Sequence, residues 1–382
     1  MSRRWRGLTW DHPRGYAALQ AAADQTGLID WHIHSLEGFE SAPIAQLCEQ
    51  YDLIVLDHPH LGEALAQGCL QPLDALLPLG SLDMIERNSI GLTHASYRMN
   101  GHQWALPLDA ATQVMALRPD LLVQAGHAVP EQWQDVLTLS RQTGRVALSL
   151  AGPHAFLTLL SMCAALDPAL ALGDGKRWHQ PHVLRQACEW LITLATLSPM
   201  SVREANPIAL LHHMTTHEDV LLCPLVYGYV NYTCVQDGTP LVFQNAPRVD
   251  ANPPGSILGG TGIAISQRCQ VDTALIDHLL WLLGENAQTR FIPRHAGQPS
   301  HVAGWNDPAV NAASNDFYRS TADTLRAASL RPRHNGFIAT QTRASLFLRD
   351  GLLRGASSAE LADGLNTLCA PHNTISERVT SD

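Results

Sequence analysis

Along the first sixty residues the apolar and polar positions switch between two periods. Residues 4–9 predict a short strand, and the segment after it has helical spacing to about Gln25, with Asp11 placed to cap the helix and Pro13 in its first turn. LIDWHIHS at 28–35 alternates like a strand, ESAPIAQLCEQ has helical spacing, and DLIVLD at 52–57 is an unbroken apolar strand of the kind buried on both faces of a parallel sheet. Successive β-α units predict an open, doubly wound α/β sheet, whose ligands sit beyond the carboxyl ends of its strands. Trp10-Asp11 and Asp57-His58 lie at two such ends, and His58-Pro59-His60 reads as a loop.

The pattern restarts after a strand at 104–108. PDLLVQAG and PEQWQDVLTLSRQTG predict helices, RVALSL at 145–150 a strand, and PHAFLTLLSMCAAL a helix. Helices are expected again at 181–197 and 206–215, and an aromatic-bearing strand at 219–230. PPGSILGGTGIAIS at 253–266 is a glycine-rich approach to another strand, ALIDHLLWLLG is an apolar helix, and the tail from about Asn315 is helical but broken at RPRHNG. One place resists this reading. Asp109, followed by Thr112 and Gln113, interrupts an apolar run, and an unpaired carboxylate in an apolar interior is costly.

A length of 382 residues favours two compact units over one. Hydrophobic residues at 46% and charged residues at 16% argue for a folded chain, and a net charge of -10 with scattered basic residues argues against nucleic acid or an anionic membrane as partner. Arg3-Arg4 is not followed by the apolar stretch of a secretory signal, so the sequence as written reads as cytoplasmic, or as periplasmic if a signal has been removed. No apolar run reaches transmembrane length. The eight cysteines form no C-x-x-C pair and read as reduced, mostly buried thiols.

The stretch NGHQWALPLDAATQVMALRPDLLVQAGHAVPEQWQDVL resembles the central signature of the type II extracellular solute-binding proteins, the maltose-binding-like group that serves ABC transporters. Gly101, Trp104 and Pro107 match its Gly-x-x-aromatic-x-x-Pro strand, and Gly126, Pro130 and Trp133 match its later Gly-x-x-x-Pro-x-x-Trp; Leu117 to Leu121 departs from the Tyr-Asn-x-x-(Leu/Phe) step between them. GSILGGTGIAIS is similar to the family's second crossing strand, the segment from LIDHLLWLLG through GWNDP to the helix and loop after it, and LRPRHNGF to the Arg-Pro segment of its tail. The resemblance spans roughly residues 5–365. It implies the two-lobed type II periplasmic-binding-protein fold, an α/β architecture with discontinuous lobes joined by hinge strands. The N-terminal lobe would comprise 1–110 and 258–308, the C-terminal lobe 111–257 and 309–382. Asp109 would then lie at the floor of a wet cleft.

The candidate ligand-binding residues are Trp10, Asp11, Asp57, His58, Asp109, His154, Tyr227, Tyr229, Gly259, Gly260, Arg331 and Arg333. Trp10 either stacks on a planar ligand or serves the core; Asp11 is either a cap or a ligand group. His154 opens a helix whose free N–H groups suit an oxygen ligand. The resemblance makes Tyr227 and Tyr229 an aromatic platform. Gly259 and Gly260, with Gly262, would let the second crossing bend and the ligand approach, or simply form a turn. Arg331 and Arg333 either clamp a carboxylate or lie on the surface. His32-x-His34, His58-x-His60 and His212-His213-x-x-x-His217 invite a metal reading without supplying evident third and fourth ligands, so neither metal nor cofactor is expected.

The expected function is capture of a small polar solute, such as a sugar or small organic acid, by a monomer that hands it to an ABC permease, without catalysis, nucleic acid or membrane insertion. The alternative is a cytosolic enzyme or sensor on the same fold, of thiaminase-like or pyrimidine-synthesis-like architecture, with Cys234 as nucleophile and Asp109 as base. No G-x-S-x-G, H-E-x-x-H or Walker-type pattern is present.

Overall fold

The first apolar run becomes strand β1 (Trp5–Trp10), which pairs in parallel with β2 (Ile29–His34) on one side and β3 (Leu53–Leu56) on the other. These belong to a computed structural model that describes residues 4–36, 38, 42–169 and 180–369. A short hairpin follows, β4 (Arg98–Met99) and β5 (His102–Gln103), then β6 (Ala105–Pro107) and β7 (Ala111–Leu117). The remaining strands are β8 (Leu222–Tyr227), β9 (Val242–Gln244), β10 (Leu258–Gly259) and β11 (Gly262–Ile265).

Two main sheets result. The first has the order β2-β1-β3-β11-β6, with β11 antiparallel to both β3 and β6. In the second, β7 is antiparallel to β10, β8 and β9. The chain therefore passes from the first sheet to the second between Pro107 and Ala111, and back between Gly259 and Gly262. Asp109 and Gly260 lie on these two passages. Residues 329–336 run beside these crossings: Ser329 is bridged to Ile257, and Arg331 and Arg333 are bonded to the β3 end and to the turn before β4.

Local chemistry sets the elements. The helix Pro13–Thr26 begins on a proline whose fixed φ suits a first turn and ends at Gly27 with φ 65°, a left-handed conformation open to glycine. Its cap is His12, not Asp11: the His12 Nδ1 accepts the Arg14 N–H at 3.1 Å, and Asp11 is exposed. Helix His154–Leu166 is apolar on nearly every side and lies in the middle of the second lobe, packed between the helices Pro181–Leu197 and Phe337–Arg354. Among the described residues no helix is long and apolar enough to cross a membrane.

Two strand expectations are revised. Residues 146–150 are buried, and the 145–150 run forms only a single bridge, Val146 to Leu222. Thr112 and Gln113, read as interruptions, sit inside β7 at 3% and 0% exposure. Their polar groups are met internally. Gln113 Nε2 donates to Thr158 Oγ1 at 3.3 Å, Ser161 Oγ donates to Gln113 Oε1 at 2.5 Å, and Thr112 Oγ1 donates to the Ile257 carbonyl at 2.9 Å. A satisfied network of this kind is tolerated in a core and ties the second crossing to β7.

Candidate functional site

Between the two sheets, on the carboxyl side of β1 and β3, lies a cleft of about 640 Å³ counting its open mouth. Eight of the twelve candidate residues line it: Trp10, Asp57, His154, Tyr227, Tyr229, Gly259, Gly260 and Arg331. The other four do not, and each has a structural reason.

Asp109 is buried at 6% exposure and spent on an ion pair. Arg14 Nε donates to its Oδ2 at 2.6 Å and Arg14 Nη2 to its Oδ1 at 2.7 Å; the Thr261 N–H donates to the same Oδ1 at 3.1 Å. Instead of facing ligand, the carboxylate fastens both crossings to the helix Pro13–Thr26. His58 is fully buried, with Nε2 accepting the Arg331 N–H at 3.2 Å and Nδ1 lying 3.3 Å from Asp57 Oδ1. Arg333 Nη1 donates to the carbonyls of Ala95, Ser96 and Arg98 at 3.1, 2.9 and 2.8 Å, which uses it to cap the turn before β4. Asp11 lies in solvent beside the cap it does not make.

One wall is aromatic. Trp10 lies over the helix start because Gly15 has no Cβ; one would come within 2.4 Å of the indole. His12 stacks on Trp10 with centroids 5.6 Å apart, and Tyr229, from the other lobe, meets both rings edge-on at 6.1 and 4.7 Å. The Arg14 guanidinium sits 4.8 Å from the Tyr229 centroid and donates to the Gly228 carbonyl at 3.2 Å. Burial, then the neighbouring Arg14 charge, lower the His12 pKa to about 3, so the ring is neutral and its Nδ1 is free to accept. Burial would lower the Arg14 pKa, but Asp109 outweighs it and the net shift is upward.

Opposite lies a second ion pair, Asp57 with Arg331; the Asp57 Oδ1 also accepts the His58 N–H at 3.0 Å, and Arg331 Nε donates to the Leu258 carbonyl at 3.3 Å. Burial alone would raise the Asp57 pKa, yet Arg331 and His58 hold the carboxyl well below its usual range. At the second crossing Gly260 has φ 88° and its missing Cβ leaves room for the Asp109 carbonyl, 2.5 Å from where a Cβ would stand. A Cβ on Gly259 would lie 2.4 Å from the Tyr227 ring, so that ring reaches the cleft only across a glycine.

Sequence reasoning missed Arg14, His60, Thr261 and Gln341, which also line the cleft. Arg14 and Thr261 gave no local signal. Gln341 did: Phe337, Gln341, Ala344 and Leu348 form the buried stripe of one helix, and an amide in such a stripe needs a partner. It is 3% exposed, and its Oε1 accepts no hydrogen bond. Cys234, the candidate nucleophile, is exposed and outside the cleft lining. Among the described residues no group of three or more His, Cys, Asp or Glu is arranged to hold a metal ion.

No family model matches the chain, and no curated protein does. Solved structures match it over nearly their whole length. A solute-binding protein of an ABC transporter from Agrobacterium radiobacter K84, in complex with ribitol, is 18% identical with a TM-score of 0.78, covering 96% of this chain and 98% of that one. The maltose-bound MalE3 of T. maritima gives 15% identity, a TM-score of 0.78 and the same coverage. UgpB of Mycobacterium tuberculosis, in complex with glycerophosphocholine, gives 16%, 0.75, and 97% and 98% coverage. At these identities the likeness establishes the fold: the two-lobed, type II periplasmic-binding-protein architecture.

Proposed function

We infer that the chain is a solute-binding protein that closes its two lobes over a small polar molecule and presents it to an ABC permease. The observation that carries this is the cleft itself, roofed and floored by different sheets, crossed twice behind, and lined by three aromatic rings and a small set of polar groups. Such an arrangement binds by differential contacts in the closed state, with the crossings taking up the hinge motion.

The lobes proposed are 1–110 with 258–308 and 111–257 with 309–382. Trp10, His154, Tyr227, Tyr229, Gly259, Gly260, Asp57 and Arg331 are proposed as the ligand-facing set. The three neighbours described above are solute-binding or solute-bound proteins, which supports capture over catalysis; delivery to a permease places the working site outside the cytosol. The enzyme reading has less support, because Asp109 is neutralised by Arg14 and Cys234 stands away from the cleft.

A thermal-shift screen of the purified chain against polyols, mono- and disaccharides, organic acids and amines tests the reading. A saturable rise in melting temperature with a member that is recovered unchanged is the expected result. A hit that is consumed would transfer the assignment to an enzyme, and a panel without any hit would remove solute capture.

A further inference from the structure

The guanidiniums and carboxylates around the cleft cancel. Arg331 is paired with Asp57 and Arg14 with Asp109, each pair almost wholly buried on the arginine side at 4% side-chain exposure. The pairs are held by more than charge: Arg331 Nε is committed to Leu258, Arg14 Nη1 to Gly228, and Asp109 also takes the Thr261 N–H. An anionic guest would have to draw an arginine from its carboxylate, and a cationic guest would have to draw a carboxylate from its arginine. Either exchange leaves a buried charge without its partner. Among the described residues no other Asp, Glu, Lys or Arg lines the cleft.

The Gln341 side chain has no such commitment. Gln341 is 3% exposed, lines the cleft from the helix Phe337–Arg354, and its amide makes no hydrogen bond to protein; its Oε1 is wholly buried. A buried amide oxygen without a donor is costly, and a guest that supplies one recovers that cost. The amide is neutral, with one acceptor and two donor hydrogens, so it pairs with a group that both donates and accepts.

Building on the solute-capture reading of this cleft, we propose that Gln341 is its specificity-determining residue and that the two ion pairs act as a charge filter, so that the guest is uncharged and places a hydroxyl on the Gln341 amide. The arginines then serve as donors without net charge, in place of the carboxylate clamp expected for Arg331.

The test is calorimetric titration of the full chain at pH 8, above the ordinary imidazole range. The probes are two matched series: ribitol with ribonate, and sorbitol with gluconate and glucamine, whose terminal amine is protonated at this pH. The expected result is binding of a neutral member, with its charged counterparts at least tenfold weaker, and at least tenfold loss of that binding in Gln341→Ala with the melting temperature preserved or raised. Gln341→Met, of similar volume but without the amide, separates hydrogen bonding from packing and is expected to lose binding equally. A charged probe binding as tightly as its neutral counterpart, or unaltered binding in Gln341→Met, overturns the inference and leaves solute capture standing. Binding by no probe in either series overturns the inference, and solute capture falls with it only if the wider thermal-shift panel also gives no hit.

Discussion

Arg14 and Asp109, 95 residues apart, form a two-pronged ion pair of 2.6 and 2.7 Å behind the aromatic wall. The pair explains how a carboxylate is accommodated in an apolar run: with side-chain exposures of 4% and 7%, neither charge is left to water, and each is answered by the other. Removing one partner strands the other. Asp109→Ala is expected to cost about 3 to 5 kcal/mol in denaturant unfolding. Replacing both, as Arg14→Met with Asp109→Leu, is expected to cost less than the single change, which a double-mutant cycle reads directly.

Gly260→Ala is expected to destabilise by at least roughly 1 to 3 kcal/mol, since φ 88° disfavours any Cβ and the Asp109 carbonyl occupies its place. Gly259→Ala differs in kind. Its Cβ meets the Tyr227 ring, which must swing, so the expected result is a tenfold or greater loss of ligand affinity with a smaller change in the unfolding midpoint.

The second cluster sets a pH dependence. Burial is the largest of the effects that lower the His58 pKa from 6.5 to about 4, so the unfolded chain binds the extra proton between those values. Stability from this group is therefore complete above pH 6.5 and drains as pH falls towards 4. At about 1.4 kcal/mol per unit, the loss by pH 4.5 is roughly 2 to 3 kcal/mol. Chemical denaturation at pH 7.5 and 4.5 measures it. In His58→Gln the difference between the two pH values is expected to shrink, whatever that variant costs overall.

Much of the fold was legible because periodicity is local. The β1, β3 and β11 runs, the helix breaks at glycine and the break at RPRHNG all carry their signals within a few residues. What failed was pairing at a distance. Thr112 and Gln113 look like a strand's end until Ser161 and Ile257 supply their partners, and Asp109 looks like a ligand group until Arg14 claims it. His12 outdid Asp11 as cap because the chain, after a turn at Trp10, aims the imidazole at the Arg14 N–H. The strand-end residues Trp10 and Asp57 and the glycines Gly259 and Gly260 were singled out by a fold-level rule about strand ends and by the resemblance, and they line the cleft. Arg333 was misplaced because a free arginine and one that caps a turn 235 to 238 residues away read alike in sequence.

Solute capture between the lobes is tested most directly by hydrogen–deuterium exchange of the chain with and without the strongest hit from the thermal-shift screen. Slowed exchange is expected together in segments 10–15, 57–61, 154–158, 227–231, 258–262 and 338–342, the strand ends, helix starts and crossing that line the cleft from both sides. Protection confined to one sheet, or centred on the outer groove around Trp190 and Ser357, would contradict it.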